Sequence, residues 1–235
     1  MTDLNFKVRQ SMAPAAYEGV TTEAGLSKFG DIFAMSWIDK LAIAGRVYIG
    51  GVGMEDTDPD GEGSLSEEAA TYVLAAPKSG LLVIPLFVRL QLTSEGGAAP
   101  DAYLTYVSTQ TDTPIAVSGT AMTVLCTRGG AGRGSEATFA HTVTSAVFTS
   151  AQNVILWQWK DGPDNMLSTV GVDVDGGTVE TPNNAASAVS IPLYPNIPII
   201  LNKGTSLNFY AVTGTSDSTW RPTFVWAEVE ASLLL

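Results

Sequence analysis

"SLNFYAVTGTSDSTWRPTFVWAEVE", Ser206 to Glu230, decides the fold class of this chain. Its first part alternates Leu207, Phe209 and Ala211 against Asn208, Tyr210 and Val212, the period of two that turns one side of a strand toward a core. "TGTSDS" is a turn signal, built from small polar residues that bond back to their own backbone. Beyond it, Phe224 and Trp226 occupy the face that continues into Glu228 and Glu230. Two strands joined by a loop, with no helical period in either, point to a sandwich or a barrel.

The same period recurs upstream. "LFVRLQL" sets Leu86, Val88, Leu90 and Leu92 against Phe87, Arg89 and Gln91, and "NVILWQWK" puts Ile155, Trp157 and Trp159 on one face. Weaker strand patterns are "ATYVLAA", "DAYLTYV", "IAVSGTAMTVLCT", "ATFAHTVTSAVF" and "AVSIPLY". Turn clusters such as "PKSG", "SEGGAAP", "RGGAGRG", "KDGPDN" and "NKG" separate them, for about nine or ten strands in all. Residues 1–30 lack periodicity and read as an extended N-terminal arm. Residues 31–235 read as one all-β antiparallel sandwich without a repeat of fixed period. "GLSKFGDIFAMSWIDKLA" has apolar character for a helical turn or two, weakened by Gly30.

At 235 residues, 45% hydrophobic and 15% charged, the chain can bury a sizeable single core. Its net charge of −12 argues against phosphate backbones as partners, since these are bound by clustered cations. Lys7, Arg9, Lys28, Lys40 and Arg46 are scattered among acids and form no basic arm. Cys126 is the only cysteine, which rules out an intrachain disulfide and a cysteine-based zinc cluster. "LLVIPLFVRLQL" is too short for a transmembrane segment and is broken by Pro85 and Arg89. The opening "MTDLNFKVRQ" lacks the apolar core of a signal peptide, so folding in a reducing cytoplasm is expected.

Two segments carry a resemblance. "ATYVLAAPKSGLLVIPLFVRLQLTSEGG" runs strand, Pro-x-x-Gly turn, long strand; "IPIILNKGTSLNFYAVTGTSDSTWRPTFVWAEVE" runs short strand, Lys-Gly turn, strand, loop, aromatic closing strand. Over about a third of the chain, both resemble the single jelly-roll virion proteins, capsid or capsid-associated, of bacteriophages and related viruses. The resemblance implies a jelly-roll-like sandwich and a structural role in the virion, after synthesis in the host cytoplasm. It also implies partners that are copies of the chain and other virion proteins, with the arm reaching a neighbour. The acidic balance departs from capsid proteins that package genome through a basic arm, and favours an outer or accessory position.

The alternative is a calcium-assisted glycan-binding or adhesion module. Its motif is "MEDTDPDGEGSLSEE", Met54 to Glu68, where Asp56, Asp58, Asp60, Gly61 and Glu67 match the spacing of a calcium loop, with Glu62 and Ser64 completing the ring. The preceding "RVYIGGVGM" is strand-like where an EF-hand needs a helix, and Pro59 and Gly63 depart from the pattern. A solvated acidic connection is the plainer reading, and neither metal nor cofactor is expected. "RGGAGRGS", Arg128 to Ser135, reads as a hairpin tip rather than a phosphate loop, because a strand pattern follows it. His141, the only histidine, and Cys126 read as structural. Glu228 and Glu230 are spaced as paired carboxylates are in glycosidases, yet two glutamates at a polar strand end are the simpler reading. Trp157 and Trp159 are expected at a core or a subunit interface. No convergent catalytic set emerges, and an enzyme is not expected.

Overall fold

The computed structural model describes residues 36–53, 56–77, 80–94, 101–108, 118–129, 132–145, 153–160, 190–193, 199–203, 205–213 and 218–233; the arm expected over residues 1–30 lies outside them. The first element among the described residues is α1 (Trp37–Ile43), at the C-terminal end of the apolar segment Gly25–Ala42. Ser36 decides where it starts. Its hydroxyl accepts the Asp39 N–H at 3.1 Å while the Asp39 carboxylate accepts the Ser36 N–H, a capping box. Gly45, at φ +69°, ends it in the left-handed conformation that favours glycine.

Eleven strands follow among the described residues: β1 (Val47–Gly51), β2 (Tyr72–Ala75), β3 (Leu81–Ser94), β4 (Asp101–Ser108), β5 (Ser118–Ala121), β6 (Thr123–Cys126), β7 (Thr138–Ser145), β8 (Asn153–Lys160), β9 (Ser190–Leu193), β10 (Thr205–Val212) and β11 (Thr219–Glu230). They form a five-stranded sheet ordered β6-β1-β11-β3-β9 and a six-stranded sheet ordered β5-β7-β2-β10-β4-β8. Every strand pairing is antiparallel. Apart from β5 to β7, the chain changes sheet at each step, except from β4 to β8. The two quartets β1-β11-β3-β9 and β2-β10-β4-β8 are those of a jelly roll. The fold is thus an all-β, jelly-roll-like antiparallel sandwich.

The segment β5 to β7 is an insertion into that plan. "IAVSGTAMTVLCT", expected as one strand, divides at Met122, whose N–H bonds the Phe139 carbonyl at 3.0 Å. β5 stays in the six-stranded sheet and β6 joins β1 in the other, so the insertion extends both sheets along the β1/β2 side.

Between the sheets lies an aromatic core. Trp220, Trp226, Tyr48, Tyr72, Phe209 and Phe224 are all at most 1% exposed. Tyr48 stacks on Trp226, Tyr72 on Phe209, and Phe139 packs its ring 4.9 Å from Phe224 and 5.6 Å from Trp226. Such rings bury large areas each and dominate the driving force for a sandwich of this size. Pro85 is accommodated at a bulge: β3 and β11 shift register between Val225 and Trp226, where a proline costs no regular ladder bond.

The sheets are not buried on one side only. β10 was expected to hide Leu207, Phe209 and Ala211 and show its other face, yet Ser206, Asn208 and Tyr210 are also 1% exposed or less. Val73, Ala75 and Val107 join Tyr210 in a second cluster on that outer side. Burial pushes the Tyr210 phenol up to about 12, and pushes Tyr72 further above its ordinary value, with the Asp58 charge adding to the shift. Both hydroxyls act as donors, Tyr72 to the Trp220 carbonyl and Tyr210 to the Glu67 carbonyl. A phenol whose folded pKa is raised gives its full stability below pH ~10 and loses it as pH rises toward the folded value, because the unfolded state ionises first. Unfolding free energy measured in urea at increasing pH is expected to be flat to about pH 10 and then to fall, by up to ~1.4 kcal/mol per pH unit for each such tyrosine. Tyr72→Phe is expected to make that decline shallower.

Candidate functional site

The most elaborate polar arrangement among the described residues is built around Glu228. β11 carries Phe224, Trp226 and Glu228 on its inner face, so the strand period that buries two aromatics also buries a carboxylate, 1% exposed. Its Oε1 accepts from the Ser135 hydroxyl at 2.5 Å, the Ala137 N–H at 3.1 Å and the Trp226 indole N–H at 3.2 Å; the Glu136 N–H bonds both oxygens at 3.1 Å. Four donors on one buried anion satisfy the rule that a charge leaves water only when its lone pairs are filled. Tyr48 lies close by. Burial raises its phenol pKa and the Glu228 charge raises it further.

This changes the reading of "RGGAGRGS". The segment is not a hairpin tip, since β6 and β7, the strands on either side of it, belong to different sheets. Backbone amides just beyond it do cradle an anion, but the anion is the protein's own carboxylate. Glu228 and Glu230 do not act as a facing pair either. Glu230 lies at the rim of an open cleft of about 410 Å³, lined by Gly80, Leu81, Arg133, Glu136, Glu230, Ala231 and Ser232. There Arg46 bonds Glu230 at 2.8 Å and Arg133 pairs with Glu136, so each carboxylate already holds a cation. One glutamate is a buried anchor and the other a half-exposed ion-pair member, a division that gives no acid–base couple across a shared substrate space.

The acidic stretch is a strap rather than a free loop. Asp60 bridges Thr219, and the Gly61 N–H bonds the Ser218 carbonyl at 2.7 Å. Glu62 exchanges bonds with Ala211 and Thr213, which pins the strap across the ends of β10 and β11. Asp58 is engaged by Arg221 at 2.7 Å, Asp56 accepts the Gly53 N–H at 3.1 Å, and Glu67 uses its carbonyl for Tyr210. Among the described residues no group of three or more His, Cys, Asp or Glu side chains is placed to hold a metal ion. Gly61 has its own reason to be glycine: a Cβ there would lie 2.8 Å from the Ala211 carbonyl oxygen.

His141 bonds Thr142 through Nδ1 at 2.9 Å, with burial lowering its pKa and Asp56 opposing that shift. Thr142, at φ +50°, is the one described non-glycine residue in the left-handed region, at the point where β7 shifts from pairing with β2 to bonding Thr71 and Ala70. Cys126 is a free, half-buried thiol beside Gly132.

The β8 pattern needs correction. Its register with β4 shifts between Leu104 and Thr105, leaving Leu156 without an opposite residue. Ile155 therefore faces the Thr105 side and Trp157 the Leu104 side, so the two do not share a face. Trp157 packs against the inner core, while Val154, Ile155 and Leu156 are 57%, 52% and 42% exposed. The Trp159 side chain lies outside the described residues; its backbone pairs with Ala102. A second apolar region crosses the five-stranded sheet, where Leu125 and Ile49 are cross-strand partners and Ile49 in turn opposes Val225. Leu125 is 63% exposed. Alternation alone could not reveal these surfaces, because it assigns a residue to a face without saying what covers that face.

The architecture and these sites define an all-β jelly-roll-like sandwich with one carboxylate buried beside its aromatic core and several aliphatic residues of β1, β6 and β8 exposed. No protein-family model matches the chain, and no curated protein or solved structure matches it either. No helix among the described residues is long and apolar enough to cross a membrane.

Proposed function

We propose that this protein is a structural virion subunit, a capsid shell or decoration protein that assembles with copies of itself and other virion proteins through its sandwich surfaces. The observation that carries this reading is the exposure of large aliphatic residues on strands of a jelly-roll-like sandwich: Val154, Ile155 and Leu156 on β8, Ile49 and Leu125 on the other sheet. Exposed aliphatic residues clustered on neighbouring positions mark a site of protein contact. Its burial between subunits supplies roughly 25 cal/mol per Å². The polar groups that a catalytic or glycan-binding reading would enlist are already engaged within the chain. Glu228 anchors residues 135–137, Asp58 holds Arg221, and Trp157 packs on the core.

Light scattering over a concentration series, with electron microscopy of the same samples, tests the proposal. Discrete oligomers or closed particles are expected. Their mass is expected to be the same in calcium and after chelation, since Asp58 is committed to Arg221. A chain that stays monomeric at every concentration would overturn the assembly reading; oligomers lost on chelation would restore the acidic strap as a metal clamp.

A further inference from the structure

We propose that β8 is a self-complementary edge, through which two copies of this chain pair antiparallel about a twofold axis and join their six-stranded sheets. The inference rests on the assembly reading and names one of its contacts. Among the described strands, β6 and β9 end one sheet and β5 and β8 end the other. Edge strands invite pairing with another chain, and proteins blunt them by shortness, proline, charge or irregular register. Three of the four are blunted. β6 has four residues, β9 has four with Pro192 among them, and β5 has four with a register shift at Gly119.

β8 is different. It has eight residues, no proline or glycine and no acid, in a chain of net charge −12. Its pairing among the described residues is with β4 alone, and its apolar triplet is about half exposed. The bulge at Leu156 puts these side chains on both sides of the edge, which suits a strand whose two faces are both to be covered.

Charge permits a second copy here. The one charged residue of β8 is Lys160, at its end. Antiparallel pairing about the strand centre sets Lys160 beside Asn153 of the partner subunit and keeps the two lysines ~24 Å apart at ~3.4 Å per residue. That is beyond the ~8–10 Å range of screened repulsion. A second copy therefore meets no like charge along this edge, in a chain whose net charge is −12.

Area sets the strength. Roughly half of three aliphatic side chains is a few hundred Å² per copy, under the ~800 Å² per partner of a stable isolated complex. Main-chain bonds along the joined strands add to it. The β8 contact is accordingly one of several in a larger assembly, not a complete dimer interface.

The experiment uses the full chain with Cys126→Ser as background. Leu156→Cys is expected to give covalent dimers with a short thiol–thiol crosslinker, and Leu65→Cys, an exposed position on the strap, is expected not to. Adding Ile155→Lys to Leu156→Cys is expected to abolish the dimer while the circular dichroism spectrum stays that of the folded chain. Crosslinking at position 156 no better than at position 65, with assemblies unchanged by Ile155→Lys, would overturn the β8 contact and leave the assembly reading standing. A monomeric chain overturns both.

Discussion

Glu228→Ala is expected to lower the unfolding free energy by about 3 kcal/mol or more, the largest effect of any polar substitution in this protein. The substitution strands a hydroxyl, two backbone N–H groups and the Trp226 indole N–H that now converge on one carboxylate. Each buried donor left without an acceptor costs roughly 1–3 kcal/mol, and water entering from the side of Ser135 and Glu136, both half-buried, offsets part of it. The indole has no such relief, because Trp226 is fully buried. Glu228→Gln keeps one oxygen and the same shape, so its loss is expected to be smaller, with the order alanine, glutamine, wild type in midpoint of guanidinium unfolding. Hydrogen exchange at the Ala137 amide is expected to rise in the alanine variant. An alanine variant within ~1 kcal/mol of wild type would mean that the carboxylate does not hold the inserted segment.

Gly50→Val is the second. Gly50 lies on the inner face of β1, and a Cβ there would sit 2.5 Å from one ring carbon of Phe139 and 3.0 Å from the Trp226 ring. The Phe139 ring has nowhere to retreat, held between Phe224 and Trp226. Overpacking of this kind costs about 1–3 kcal/mol, and a branched side chain is expected at the upper end. Even Gly50→Ala is expected to destabilise, although alanine is normally the better strand residue by roughly 0.5–1 kcal/mol. Phe139→Leu in the same chain is expected to recover part of the loss, and a double-mutant cycle on thermal unfolding reads the recovery directly. Full additivity would show that the two residues do not share the space.

Much of the sandwich was legible because its signal is local. The alternation in β10 and β11 follows from the pleat, and any strand buried on one face must write it. The same period carried Glu228 onto the face of Phe224 and Trp226, so its inward direction was legible while its four donors were not. Those donors come from residues 135–137 and 226, and only the crossing of the insertion between sheets brings 135–137 there. The division of "IAVSGTAMTVLCT" at Met122 was hidden for a related reason. Two short strands in different sheets look like one long strand when the partner is not known.

Sequence by itself determined that this chain is an all-β sandwich with an acidic segment and a single cysteine, since period, turn chemistry and composition are properties of neighbouring residues. Tertiary structure alone decided the strand order, the double burial of β10, the use of the acidic stretch as a strap, and the register shift at Leu156 that puts Ile155 and Trp157 on opposite faces. Each of these depends on which distant strand lies alongside. A single unpaired residue in β8 is enough to change which side of the sheet its neighbours meet.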